Sequence, residues 1–241
     1  MKILTIAFAY NEIQLLPSMV SYYKQQGCDI FILDNKSDDG TKEWLVENNV
    51  MHTTIDTGGM FHLLKLQAGL VKAINEFKPD WVVYTGIDII YSFKESILKT
   101  IEKADEDGYN MIGVQYYNMY NTGEKYQLPL HENYFYGRKY SKLLMIAKYQ
   151  EPFSFEADSI QIKGKKIFYA DGVLINYGNC KPKSERIVTF LRRAKAWERG
   201  LDRNYGVHYL EGMKKDWLWT KEEMVDIRET QYYEFIQKIK I

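Results

Sequence analysis

Three short stretches of this sequence concentrate groups that hold cations, riboses and amides: "AYNE" at 9–12, "LDNKSDDGT" at 33–41 and "YTGID" at 84–88. The candidate groups are Tyr10, Asn11 and Glu12, then Asp34 and Asn35, then Asp88. Turn chemistry explains part of this, because Asp38 and Asp39 are placed to cap a helix starting near Gly40. Asp34 precedes that turn, and Asp88 runs on into apolar Ile89 and Ile90, so both read as ligand groups. Tyr10 offers a base a flat apolar face with a polar tip. Neither G-x-G-x-x-G nor G-x-x-x-x-G-K-[ST] occurs, so a nucleotide here needs stacking, ribose hydrogen bonds and a divalent ion. Oxygen ligands suit Mg²⁺ or Mn²⁺.

These stretches need elements to hold them. The continuous apolar run 3–9 reads as a strand. Residues 11–27 read as a helix, with Ile13, Leu16, Val20 and Tyr23 at helical spacing before a Gly27 stop. A strand at 29–34, a short helix at 38–49 with Trp44 and Leu45 inward, a weak strand at 50–56, a helix near 60–77 and a buried strand at 80–90 follow. This alternation predicts an α/β fold: a Rossmann-like, mostly parallel sheet flanked by helices. Ligands of such sheets sit at the carboxyl ends of the strands, where all three polar stretches fall. Further on, 109–120 reads as a strand, 159–169 as a hairpin turning at Gly164, and 173–178 as another strand. Helices are expected from Pro182 to about Arg199 and over roughly 220–239. Residues 121–155 show no clear period. The simplest division is one domain, 1–241, with a nucleotide-binding half at 1–95 and an irregular acceptor half at 96–241.

A 46% hydrophobic share of 241 residues supplies a sizeable core. Thirty-two Lys and Arg balance 32 Asp and Glu, which excludes a global basic field for nucleic acid. Cys28 and Cys180 are too few for a disulfide framework and fit a reducing compartment. The N-terminal apolar run is short and followed by polar Asn11 and Glu12, so it reads as a first strand and not a leader. No stretch approaches the ~20 apolar residues of a membrane span. A cytoplasmic protein is expected. Between 181 and 203, eight Lys and Arg face three Asp and Glu. That excess suits a diphosphate or peripheral contact with the inner face of an anionic membrane.

In order and spacing, the three polar stretches resemble the nucleotide-diphospho-sugar half of family 2 glycosyltransferases, which have the GT-A fold. The resemblance covers residues 1–95. It implies transfer of a sugar, with inversion, from a nucleotide-diphospho-sugar, a UDP-sugar foremost, to a glycan or glycolipid acceptor in bacterial surface glycan synthesis (lipopolysaccharide or capsule). It implies that Tyr10 meets the base, with Asn11 and Glu12 beside it, that Asp34 and Asn35 meet base and ribose, and that Asp88 holds a metal, Mn or Mg, at the last position of a D-x-D motif. The later "INYGNCKPKSERIVTFLRRAKAW…GVHY" is similar to bacterial members in which a late histidine closes the site, which makes His208 a second metal candidate. Gly86 stands where the family usually has the first aspartate, so the metal is expected to be weak or dispensable. Asn35 replaces a common second aspartate. A different class of reading is a catalytically silent nucleotide-sugar or glycan binder of the same fold.

Inverting transfer needs a base for the acceptor hydroxyl. Asp158 and Glu156, in "FSFEADSIQI", are of one parity beside an apolar strand and are the candidates, with Asp158 first. Asp171, in "YADG", carries the stronger turn signal.

Overall fold

The computed structural model describes residues 1–121, 126–156, 159–198 and 224–239. Strand β1 (Ile3–Ala9) is buried along its whole length except for half-buried Phe8. Such a run forms where a strand has both faces covered. Helix α1 (Leu16–Gln25) starts later than the periodicity predicts, because Pro17 sits in its first turn, where a missing N–H costs nothing. Leu16, Met19, Val20 and Tyr23 form its buried face.

Strand β2 (Asp29–Asp34), helix α2 (Thr41–Glu47), strand β3 (Met51–Thr54), helix α3 (Leu63–Phe77) and strand β4 (Trp81–Tyr84) complete the parallel part. Asp38 and Asp39 do not act as simple caps. Gly40, at φ 95°, begins α2 with no side-chain cap. Asp39 accepts from the backbone N–H groups of Thr41 and Ile13 (3.0 and 3.1 Å), tying the helix start to the chain after β1.

The expected strand at 80–90 is divided: β4 ends at Tyr84, a turn follows, and β5 (Ile89–Phe93) begins elsewhere in the sheet. Helix α4 (Ile97–Glu106), strand β6 (Met111–Met119), a short helix α5 (Leu130–Asn133), strand β7 (Tyr136–Lys148), the small pair β8 (Ser154–Glu156) and β9 (Ser159–Gln161), and strand β10 (Ile167–Asn176) follow. The sheet order is β3-β2-β1-β4-β7-β6-β10-β5, with β11 (Val225–Asp226) paired to β7. Three strands therefore separate β4 from β5, although only residues 85–88 join them in sequence. A flat sheet would set them about 19 Å apart at roughly 4.8 Å per strand, more than a turn of this length spans, so the sheet curls.

The hairpin expected over 159–169 does not form. β9 pairs with β8, and β10 is one long strand between β6 and β5, with a register shift between Tyr169 and Val173. Nor do the described residues of the last stretch form one long helix. β11 is followed by a 3-10 turn at Ile227–Glu229 and a short helix, α7 (Tyr233–Ile236). Pairing of Val225 with Gly137 and burial of Ile227, Phe235 and Ile236 override helical propensity there. A 3-10 turn (Gly178–Cys180) and helix α6 (Lys183–Glu198) leave the carboxyl end of β10. No helix among the described residues is long and apolar enough to cross a membrane. Both cysteines are free and buried.

Candidate active site

The carboxyl ends of β1 and β2 lie side by side, with Ala9 opposite Asp34 and the Asn35 N–H bonded to the Ala9 carbonyl (2.8 Å). Just beyond, Asn11 takes a left-handed conformation, φ 57°, which asparagine tolerates better than most residues. Its backbone N–H donates to Ser37 Oγ (2.9 Å). Its side chain donates to Asp38 Oδ1 (2.8 Å) and accepts from the Asp38 N–H (3.0 Å). Asn11 is therefore a clamp between two loops. Asn35 is similarly engaged: Oδ1 accepts from the Thr57 N–H and hydroxyl, and Nδ2 donates to the Met60 carbonyl. Asp34 is fully buried and accepts the Ser37 N–H at 3.2 and 3.4 Å on its two oxygens.

Tyr10 is half-buried, and the Arg192 guanidinium of α6 lies 3.4 Å from its ring centroid. Arg192 Nε also donates to the Gly59 carbonyl (2.7 Å), so α6 lies over the loop after β3 and one face of Tyr10.

Glu12 and Asp88 converge on a residue that the sequence reading counted only within a basic stretch. Lys181 Nζ lies 2.6 and 2.7 Å from the two Glu12 oxygens and 3.6 Å from Asp88 Oδ2. The three side chains are 12%, 20% and 24% exposed, respectively. Burial pushes the Glu12 carboxyl up to about 7, against the opposing pull of Lys181 and with a further push from Asp88. Burial would lower the Lys181 ammonium, but the charges of Asp88 and Glu12 outweigh it and raise it. Asp88 sits in the turn between β4 and β5, its carbonyl accepting the Tyr177 N–H (2.8 Å). A Cβ at Gly86 would stand 2.9 Å from Asp88 Oδ1, and one at Gly178 would stand 2.8 Å from Oδ2. Both glycines are needed for the carboxylate to lie where it does. The signal for Lys181 was its place just after the buried strand "VLIN" and a tight turn, where a chain re-enters a sheet edge.

Of the base candidates, Glu156 is exposed at the end of β8, and Asp158 lies outside the described residues, as does His208. The neighbouring Phe155 packs on Tyr84 at the end of β4, with ring centroids 4.9 Å apart, which brings the β8–β9 pair beside this edge. Asp171 is exposed in the irregular part of β10, five residues before the end that leads to Lys181, and it accepts from Gln231.

The family model for glycosyl transferase family 2 matches residues 5–164. The chain belongs to that family. The match takes in β1 to β9 and so includes Tyr10, Glu12, Asp34, Asp88 and Glu156. Among solved structures, the family 2 chain is similar to S. aureus TarS, at 12% identity and TM-score 0.47, covering 89% of this chain and 42% of that one. It is also similar to TarS 1–349 in complex with UDP, at 11% identity and TM-score 0.47, covering 87% and 68%. Glucosyl-3-phosphoglycerate synthase from Mycobacterium tuberculosis is 17% identical at TM-score 0.34, covering 48% and 44%. The chain thus spans less than half the length of TarS. No curated protein matches it.

Family 2 members commonly use a divalent metal. The residues described at this site do not fit one. Asp88 has Gly86 in place of a second carboxylate, and Lys181 fills the space between Asp88 and Glu12. No group of three or more metal-ligating side chains occurs among the described residues.

Proposed function

We propose that this protein transfers a sugar from a nucleotide-diphospho-sugar, a UDP-sugar foremost, to the hydroxyl of a glycan or glycolipid acceptor, in bacterial surface glycan synthesis. The observation that carries this reading is Asp34 in a family 2 chain. A fully buried carboxylate, able to accept about four hydrogen bonds, receives the Ser37 N–H at the carboxyl end of a central parallel strand, beside Tyr10. Asp34 holds the turn at Ser37 that borders the base and ribose side, and Tyr10 supplies the ring that edges or stacks on the base. Asn11 and Asn35 hold the loops that shape the pocket. Glu12 and Asp88 close it on the diphosphate side.

In the transfer step the acceptor oxygen attacks the anomeric carbon from the face opposite the diphosphate. The bond from that carbon to the diphosphate oxygen breaks, and its electron pair leaves with the nucleoside diphosphate. The acceptor proton passes to a carboxylate of the β8–β9 segment, Asp158 or Glu156. The protein acts in the cytoplasm, at the inner face of an anionic membrane.

Gly86 favours one alternative, a silent binder that has kept the fold without turnover. Incubation with UDP-, GDP- and dTDP-sugars separates the two. Release of free sugar and nucleoside diphosphate from one donor class is the expected result. Saturable binding of a nucleotide-sugar without any release establishes the binder, and no interaction with any donor removes the nucleotide site from this edge.

A further inference from the structure

We propose that Lys181 is the resident cation of this site, carrying the charge that neutralises the donor diphosphate so that neither donor binding nor transfer needs a divalent metal. The inference rests on reading this edge as the donor site. Two carboxylates from the ends of two adjacent central strands, Glu12 after β1 and Asp88 after β4, converge on one point, an arrangement suited to a bound metal ion. Here an ammonium fills that point, 2.6 Å from one carboxylate and 3.6 Å from the other.

The surroundings are built for this occupant. Gly86 and Gly178 let the Asp88 carboxylate lie against the backbone, and a side chain at either position would displace it. Lys181 precedes α6 by two residues in sequence and sends its ammonium to Glu12 and Asp88. In the first turn of α6, Arg186 Nε is buried without a hydrogen-bond partner. The ammonium and the two carboxylates form one corner at the sheet edge, and the helix that carries this unpaired guanidinium N–H follows it in the chain. The charges agree. Lys181 offsets one of the two charges of Glu12 and Asp88, while the nearby Glu185 is exposed. The corner is thus less hostile to a diphosphate than two bare carboxylates would be.

A lysine does this as a point charge on a flexible stem, able to shift from the carboxylates to a phosphate oxygen. As the bond to the anomeric carbon breaks, the electron pair left on the diphosphate oxygen develops beside that ammonium, which stabilises it without a Lewis acid. The proton of the acceptor still goes to the base, and no other reactant is required.

Calorimetric titration of UDP, GDP and dTDP into the wild-type protein, once in EDTA and once in excess Mn²⁺, tests this. The expected result is one nucleoside diphosphate bound with affinities within about twofold in the two buffers. Lys181→Met should lose tenfold or more in EDTA, and Lys181→Arg should recover most of the loss. Binding that appears only with Mn²⁺, or rises tenfold with it, overturns the inference while leaving the donor site standing. Binding in neither buffer overturns the donor site and the inference together. A nucleotide-free measurement, Mn²⁺ titration followed by electron paramagnetic resonance, keeps the test independent of the fold of Lys181→Met through its wild-type arm. Wild type should leave Mn²⁺ free, whereas Lys181→Met, with Glu12 and Asp88 unpaired, should bind it. Tight Mn²⁺ binding by wild type overturns the proposal.

Discussion

The two halves of the molecule build their contributions to the edge in opposite ways. In the first, each polar cluster follows its own strand directly, and β1, β2 and β3 are joined by helices and pair in parallel with sequence neighbours. In the second, β7 runs antiparallel between β4 and β6, strands up to some 65 residues apart from it in sequence, and β10 joins β6 to β5. Lys181 comes from this long-range half yet makes its ion pair with Glu12, 169 residues away. The two carboxylates at this edge therefore come from local turns, while the ammonium between them depends on distant strand pairing. Separating these contributions is what the following variants do.

The largest effect is expected on the acceptor side. Asp158→Asn should lower turnover on the true acceptor about 10²–10⁴-fold with nucleotide affinity unchanged, as removal of a general base typically does. A silent Asp158→Asn with a damaged Glu156→Gln assigns the base to Glu156. Parallel loss of nucleotide affinity assigns the residue to the donor half instead.

Next in size is the seam between the halves. Trp81 is fully buried on β4, the strand that meets β7, and its Nε1–H donates to Asp105 Oδ1 (3.1 Å), which also pairs with Lys148 (2.6 Å). Trp81→Ala should cost about 3–5 kcal/mol of unfolding free energy in urea, whereas Val46→Ala on exposed α2 should change it by less than about 0.5 kcal/mol. Equal losses would deny the seam its special place.

A smaller effect follows from Glu12, which faces Lys181, Asp88 and Glu185. Its carboxyl rises from 4.5 in the unfolded chain to about 7 in the native state, because of burial. Between those values the native protein holds a proton that the unfolded chain has lost, so stability falls as pH rises through that window. Denaturation at pH 5 and pH 7.5 should show a loss of about 1 kcal/mol or more, removed in Glu12→Gln. A flat profile in wild type would mean that the ion pair with Lys181 fully compensates burial.

How much of this was legible follows from the same contrast. The runs 3–9 and 29–34 are apolar because parallel strands are covered on both faces, so their ends, with Tyr10 and Asp34, could be placed from the sequence. β7 could not, because its middle carries exposed Lys139, Tyr140, Ser141 and Lys142 between buried ends, and no single period describes it. The turn at 85–88 carried its own signals in Gly86 and Asp88, but Asp88 runs straight on into apolar Ile89 and Ile90, so two buried strands with different partners read as one. Gly86 was visible as a departure from the D-x-D pattern. That it makes room for the Asp88 carboxylate beside Lys181 required the pairing of β10 with β5, which no local pattern contains.

Binding of the donor nucleotide where β1 and β2 end is tested most directly by calorimetric titration of UDP into wild type, Tyr10→Ala and Asp34→Ala. Stacking and charge-assisted hydrogen bonds are each worth about 1–3 kcal/mol, so each variant should bind on the order of tenfold or more weakly while remaining folded in the absence of urea. UDP bound equally well by all three folded proteins would place the nucleotide elsewhere and contradict it.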